Sequence, residues 1–79
     1  MSEQATRVYK NLIWQDPDRM SGAICFYGTR IPVSFLFDYL ERNELLETFA
    51  RDYRVDVNVA KQVVHLASEG LESILEKAA

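Results

Sequence analysis

The chain has 79 residues, 48% of them hydrophobic, and a formal net charge of −3 at pH 7. This length allows one domain with a modest core, and the apolar content excludes an intrinsically disordered chain. The acidic balance does not favour nucleic-acid binding, although it permits a local basic face. Cys25 is the only cysteine, which excludes an internal disulfide and predicts a reduced, cytoplasmic setting. No membrane span and no signal peptide are expected.

Two β-strands are predicted before the helices. Residues 8–14 are rich in β-branched and aromatic side chains, with Lys10 and Asn11 as a polar interruption. Residues 23–27 form a second apolar run, and the intervening Asp16-Pro17 pair is typical of an Asx-type turn. Two strands this short are marginal alone, so we expect them to pack on the helices or to pair with another copy of the chain.

The stretch from Gly28 to Ser34 separates the β-rich part from the helical part. Gly28 tolerates the positive φ of a tight turn, and Pro32 favours an extended residue before it. Ser34 is predicted to be the N-cap of the first helix. A simple connector explains the spacing equally well, but a connector does not require Arg30. We expect Arg30 to pair with a carboxylate or with carbonyls at a helix C-terminus.

Three helices are predicted after this stretch. The first spans about residues 35–42 and ends at Asn43, which tolerates the left-handed conformation. The second spans about residues 44–53, because its apolar residues recur at i, i+3, i+4 and i+7. Asp56 is predicted to be the N-cap of the third helix.

The third helix has the strongest periodic signal. One apolar stripe keeps its register from Ala60 to Ala78 and passes Gly70 without losing phase. Because a reversal at Gly70 would leave this phase unexplained, the pattern favours one unbroken helix of roughly 20 residues. A break near Gly70 is the alternative. Since such a helix is longer than a core of this size, its C-terminal half is expected to pack on a second protomer.

No catalytic residue, metal site or cofactor is predicted. One Cys and one His cannot form a structural zinc site, and Cys25 is expected to be a small buried thiol distant from His65. No Gly-rich phosphate loop is present, and the carboxylates have the spacing of solvated helix faces. The chain is therefore not expected to be an enzyme.

The second and third predicted helices, joined by a three-residue turn, are typical of a helix-turn-helix motif. The second helix of such a motif enters the major groove. Side chains opposite the apolar stripe suit bases and phosphates, and two arginines flank the turn. The predicted DNA-binding residues are Arg51, Arg54, Asn58, Lys61, Gln62 and His65. The solvated face of an amphipathic helix explains them equally well.

The local charge limits the predicted affinity for DNA. Residues 44–65 contain three basic and four acidic side chains, whereas phosphate contacts supply most non-specific affinity. A monomer is therefore expected to bind weakly. Specific binding is expected to need a dimer on two half-sites or a basic partner.

Aromatic side chains exceed the needs of a small core, although core packing is the usual role of an aromatic pair. Tyr, Trp and Phe are also the residues that interface centres use. With the long last helix and the unpaired strands, they favour a homodimer or a protein partner. The predicted partner-binding residues are these aromatic residues and one arginine: Tyr9, Trp14, Tyr27, Arg30, Phe35 and Tyr39.

A family resemblance extends over about residues 13–75. Asp16-Pro17, Gly22 and the string Gly28-Thr29-Arg30-Ile31-Pro32-Val33 resemble the domain-of-unknown-function 433 family. The resemblance implies a homeodomain-like three-helix protein with a short N-terminal β-segment, similar to VapB-type antitoxins encoded beside PIN-like ribonucleases. It also implies dimerisation through the N-terminal region. Ala23-Ile24 departs from the family, which usually has a basic residue and Pro there.

The expected fold is one mainly α domain over residues 1–79. It comprises a β-rich segment (1–33) and a three-helix, homeodomain-like helix-turn-helix bundle (34–79) with a long C-terminal helix. The expected function is a dimeric antitoxin that occludes the acidic, metal-binding site of a PIN-like ribonuclease and represses its own operon. Arg30 is a candidate to enter that acidic site, although a structural ion pair is its commoner role. The alternative is a homo-oligomeric protein-interaction module without DNA binding.

Overall fold

The computed structural model describes residues 6–18 and 22–78. The elements of this part are β1 (Arg7–Tyr9), β2 (Ile13–Gln15), β3 (Ile24–Phe26), α1 (Ser34–Glu41), α2 (Leu46–Tyr53), α3 (Val57–Ala67) and α4 (Leu71–Ala78). The predicted three-helix, homeodomain-like bundle is wrong, because the described residues form four helices and a three-stranded antiparallel sheet. Within these same ranges, no helix has the length and apolar character needed to cross a membrane.

The first predicted strand, residues 8–14, is a β-hairpin in the structure. Lys10 and Asn11 have φ values of 49° and 55°, and the N–H of Leu12 donates to the carbonyl of Tyr9 at 2.8 Å. Positive φ at both central residues is what a type I′ turn requires. The polar interruption is therefore a chain reversal, and β1 and β2 are antiparallel neighbours.

The central strand, β2, pairs with both β1 and β3, so the described strands find their partners within the chain. The predicted turn at Asp16 is confirmed, since its carboxylate accepts the N–H of Asp18 at 2.9 Å. The predicted turn and extended segment after β3 are also confirmed. Gly28 has a φ of 76°, and Pro32 then forms an antiparallel bridge with Cys25.

The first helix, α1, lies close to its predicted range, but Ser34 is not its N-cap. Val33 precedes the helix with a helical backbone (φ −65°, ψ −21°) and no side-chain cap. The N–H of Phe35 already donates to the carbonyl of Pro32 at 3.1 Å. The helical turn therefore begins at Pro32 and leaves Ser34 inside the helix. At the other end, Asn43 has the predicted left-handed conformation, with a φ of 64°.

The predicted long third helix is wrong, because the chain leaves the helix between α3 and α4. Gly70 has a φ of 86°, and its N–H donates to the carbonyl of Ala67 at 3.1 Å. Glycine in the left-handed region is a common helix terminator, since no Cβ opposes that conformation. The carbonyl of Gly70 then accepts the N–H of Ile74 at 3.1 Å, in the first turn of α4.

The last helix, α4, packs against β1 of the same chain. Leu75 is fully buried and belongs to one core cluster with Phe26 and Phe49. Arg7 of β1 and Glu72 of α4 form an ion pair at 3.6 Å. Because this helix buries its apolar face in its own core, the reason for expecting it to pack on a second protomer no longer holds.

Candidate nucleic-acid interface

A three-residue turn, residues 54–56, connects α2 to α3. Arg54 has a left-handed backbone (φ 58°, ψ 40°), and the N–H of Val55 donates to the carbonyl of Ala50 at 2.9 Å. Asp56 is the predicted N-cap: its carboxylate accepts the N–H of Asn58 at 2.7 Å and that of Val59 at 3.4 Å. The first bond closes the end of α2 and the other two cap the start of α3, so two separate helices follow one another across a short turn.

The outer side of α3 is polar and carries no acidic residue along the whole helix. Ala60 and Val63 are fully buried on the opposite side. Within the described ranges, Lys61 has no ion-pair partner. We call the exposed residues at i, i+3, i+4 and i+7 the α3 polar face: Asn58, Lys61, Gln62 and His65.

The two arginines predicted to flank the turn differ in their charge environment. Arg51 lies 3.7 Å from the carboxylate of Asp52, with 77% of its side chain exposed. A carboxylate at this distance partly neutralises the guanidinium. Arg54 is exposed and forms no ion pair with the residues that the structure describes. Arg54 is therefore the better placed of the two for contact with a phosphate.

A groove of about 260 Å³ lies between the β1–β2 hairpin and α3. We call it the hairpin groove. Its lining combines the hairpin turn with the middle of α3: Tyr9, Lys10, Leu12, Lys61, Gln62, His65 and Leu66. The fold thus brings three of the predicted DNA-binding residues together with Tyr9, which was predicted as a partner contact.

Lys10 belongs to this site although sequence reasoning assigned it no role. Its ammonium lies 5.4 Å from the centroid of the Tyr9 ring, within the range of a cation–π contact. The Lys10-Asn11 pair between apolar residues was a detectable signal for a turn. The position of that turn beside α3 depends on tertiary packing, which local spacing does not reveal.

Among the predicted partner-binding residues, Trp14 has an internal role. Its Nε1 donates to the carbonyl of Thr29 at 2.8 Å. This bond ties the turn after β3 to the central strand. In contrast, Tyr27 is exposed. Arg30 is also exposed, and no carboxylate in the described residues pairs with it.

Tyr39 and Phe35 belong to an aromatic cluster that runs from the core to the surface. The ring of Tyr39 contacts those of Phe49 and Tyr53 at centroid distances of 5.3 and 6.0 Å. Phe35, 40% exposed, contacts Tyr53 at 5.8 Å. The Tyr39 hydroxyl donates to the Asp52 carboxylate at 2.9 Å. That hydrogen bond, with a smaller effect of desolvation, raises the pKa of Tyr39 above its ordinary value.

Cys25 is a buried thiol, as predicted. It is 3% exposed in the middle of β3, and burial raises its pKa. A thiol in this environment is a poor nucleophile, since the thiolate is the reactive form.

Comparison with protein families matches residues 13–67 to a family model described as a protein of unknown function, DUF433. The match covers more than half of the chain, from the start of β2 to the end of α3. The Lys10 turn and α4 lie outside the matched residues. No curated protein and no solved structure matches the chain.

Proposed function

Since the chain belongs to the DUF433 family, whose description assigns no activity, we propose a function from the geometry of α3. The protein is a small DNA-binding protein of the helix-turn-helix type, and α3 is the helix that enters the major groove. The observation that carries this proposal is the α3 polar face, which is exposed on a helix held by a short, hydrogen-bonded turn.

The chemistry of this face suits base recognition. Asn58 and Gln62 can each bond adenine through two atoms, and Lys61 can reach guanine or a phosphate. Asn58 lies in the first turn of α3, and the N-terminal residues of a recognition helix are the ones that contact base edges. The Asp56 cap stabilises this end of the helix.

The distribution of charge supports binding despite the net charge of −3. Lys10, Arg54 and Lys61 are exposed cations without an ion-pair partner in the described part of the chain. Two of them, Lys10 and Lys61, line the hairpin groove. One copy supplies few phosphate contacts, so specific binding requires two copies on two half-sites.

The biological role proposed for this DNA binding is that of a cytoplasmic antitoxin that represses its own operon. Its support is the resemblance of the Gly28–Val33 string to the domain-of-unknown-function 433 family, several members of which resemble VapB-type antitoxins encoded beside PIN-like ribonucleases. Arg30 is exposed and has the charge needed to enter an acidic, metal-binding site. Co-expression with a PIN-like ribonuclease encoded beside this chain is expected to restore growth, and Arg30→Glu is expected to abolish the rescue.

A gel-shift titration of the upstream DNA over a salt series tests the DNA-binding proposal. Lys61→Ala is expected to reduce the salt slope by about one unit, because one phosphate contact is lost. Gln62→Ala is expected to lower discrimination between bases by about 1–3 kcal/mol. Lys77→Ala is the matched control, since it removes one exposed lysine from α4. Equal losses in Lys61→Ala and Lys77→Ala would contradict recognition by α3.

A protein-interaction module without DNA binding is the second candidate, and exposed apolar side chains favour it. Leu45 is 67% exposed, Tyr27 46% and Phe35 40%. Aromatic and aliphatic side chains of this kind form the centres of interfaces. If no DNA is retained at low salt, with or without the neighbouring protein, this candidate replaces the first.

A further inference from the structure

The hairpin groove has an apolar floor. Leu12 is 8% exposed and belongs to the core cluster, and Tyr9 and Leu66 are half-buried beside it. These side chains offer a ligand one aromatic face and two aliphatic surfaces. An apolar ligand body that covers them is removed from water, which favours binding.

The rim of the hairpin groove carries two positive charges that no ion pair neutralises in the described residues. Lys10 comes from the hairpin turn and Lys61 from α3, so their charges approach the groove from opposite sides. Among the residues that the structure describes, no Asp or Glu lines this groove, and neither lysine forms an ion pair with them. Two unpaired ammonium groups at an apolar cavity favour an anionic ligand.

The available donors favour a carboxylate over a phosphate. Lys61, Gln62 and His65 lie beyond the first turn of α3, where backbone N–H groups are used within the helix. The α3 wall of the groove therefore lacks the amide cradle with which helix N-termini hold phosphates. Its volume of about 260 Å³ is just below the range of about 300–1,000 Å³ typical of drug-sized ligands, which suits one or two rings.

We propose that the hairpin groove binds a small aromatic carboxylate. The ring lies on Tyr9, Leu12 and Leu66, and the carboxylate lies between the ammonium groups of Lys10 and Lys61. Because α3 residues of this groove also belong to the proposed DNA-reading face, a bound ligand would displace DNA. That regulatory consequence rests on the proposed function, whereas the ligand site itself does not.

Titration of the full chain with three probes tests the site. 2-Naphthoate combines a ring with a carboxylate, 2-naphthamide keeps the ring without the charge, and acetate keeps the charge without the ring. Calorimetry is expected to show saturable one-site binding of 2-naphthoate, at least tenfold weaker binding of 2-naphthamide and no detectable binding of acetate. Equal affinity for the two naphthalene probes, or no binding of 2-naphthoate, would overturn the proposal.

Lysine variants locate the binding site. Lys10→Gln and Lys61→Gln are each expected to weaken 2-naphthoate binding about five- to tenfold, because each removes one charged donor. Lys77→Gln, on α4, is the control and is expected to leave the affinity unchanged. Both lysines are exposed, so circular dichroism should show the folded chain in every variant. Unchanged affinity in both groove variants would also overturn the proposal.

A gel shift with added 2-naphthoate separates this inference from the proposed function. Release of DNA by the ligand supports both. A chain that binds 2-naphthoate and retains no DNA contradicts the proposed function and leaves the ligand site intact. A chain that retains DNA and ignores 2-naphthoate contradicts the ligand site alone.

Discussion

Tyr39 shows how one side chain can join the core to the surface. Its ring packs edge-on against Phe49, which is fully buried, while its hydroxyl reaches the Asp52 carboxylate on α2. Sequence reasoning assigned Tyr39 to a partner surface. In the structure its hydroxyl bond and its ring contacts join α1 to α2. Partner binding by Tyr39 stays a prediction, and its support is the exposed ring of the neighbouring Phe35.

The hydrogen bond to Asp52 predicts a pH dependence for Tyr39. The folded-state pKa of Tyr39 is raised, so the stabilisation is fully present below the unfolded pKa of about 10. It is lost as the pH rises through the folded pKa. Asp52→Asn is expected to lower the pKa of Tyr39 toward its ordinary value, as measured by NMR titration of the tyrosine ring. Asp38→Asn, an exposed change on α1, is the control. An unshifted Tyr39 in Asp52→Asn would contradict this assignment.

At the level of elements, the boundary between α3 and α4 depends on one glycine. The apolar stripe stays in phase across Gly70 even though the helix does not continue. α3 buries Ala60 and Val63, and α4 buries Leu75, in one core cluster. Two separate helices that pack on the same core each need an apolar face toward it. An apolar stripe can therefore stay in register across a break between two helices.

Substitution of Gly70 distinguishes a broken helix from a continuous one by the sign of its effect. Gly70→Ala places a Cβ at a φ of 86°, with Ser73 Oγ at 3.8 Å. The strain of this backbone conformation is expected to destabilise the fold by about 1–2 kcal/mol. In a continuous helix, the same change would stabilise it by about 1 kcal/mol. Urea unfolding gives the sign. Gly70→Asn is expected to cost less, since Asn tolerates this region.

At the level of the whole molecule, the core is completed by the two ends of the described chain. β1 is paired with β2 on one side and contacts α4. The side chains of the Arg7–Glu72 pair, 3.6 Å apart, are 36% and 60% exposed. Water therefore screens this pair, and burial of Leu75 contributes more to stability there. Internal strand pairing and the docking of α4 remove two of the reasons for predicting a homodimer. The dimer stays a prediction based on the exposed aromatic residues.

Leu75→Ala tests whether α4 belongs to the core of its own chain. Loss of this fully buried side chain is expected to destabilise the fold by about 2–5 kcal/mol. The milder Leu75→Val is expected to cost about 1 kcal/mol. Both values should be independent of protein concentration in urea unfolding. Glu76→Ala, an exposed neighbour, is the control. A loss that grows with protein concentration would instead indicate packing on a second copy, because only dimers would then bury this side chain.

The residue pattern alone predicted the local features of this protein. Four such predictions were correct: the left-handed backbone at Gly28 and at Asn43, the Asp56 cap, and the apolar face of α2. Each of these features depends on only a few neighbouring residues. The family followed from a short string around Gly28, and the α2–turn–α3 unit followed from helical periodicity.

Tertiary structure decided the rest. Whether Lys10-Asn11 interrupts a strand or reverses the chain depends on whether the two halves find hydrogen-bonding partners. Whether Gly70 is tolerated or ends a helix depends on where the next apolar face can be buried. The hairpin groove also depends on tertiary structure, since its lining includes both Lys10 and Lys61, which are some fifty residues apart in the chain. Packing of distant segments creates that proximity, and no local pattern encodes it.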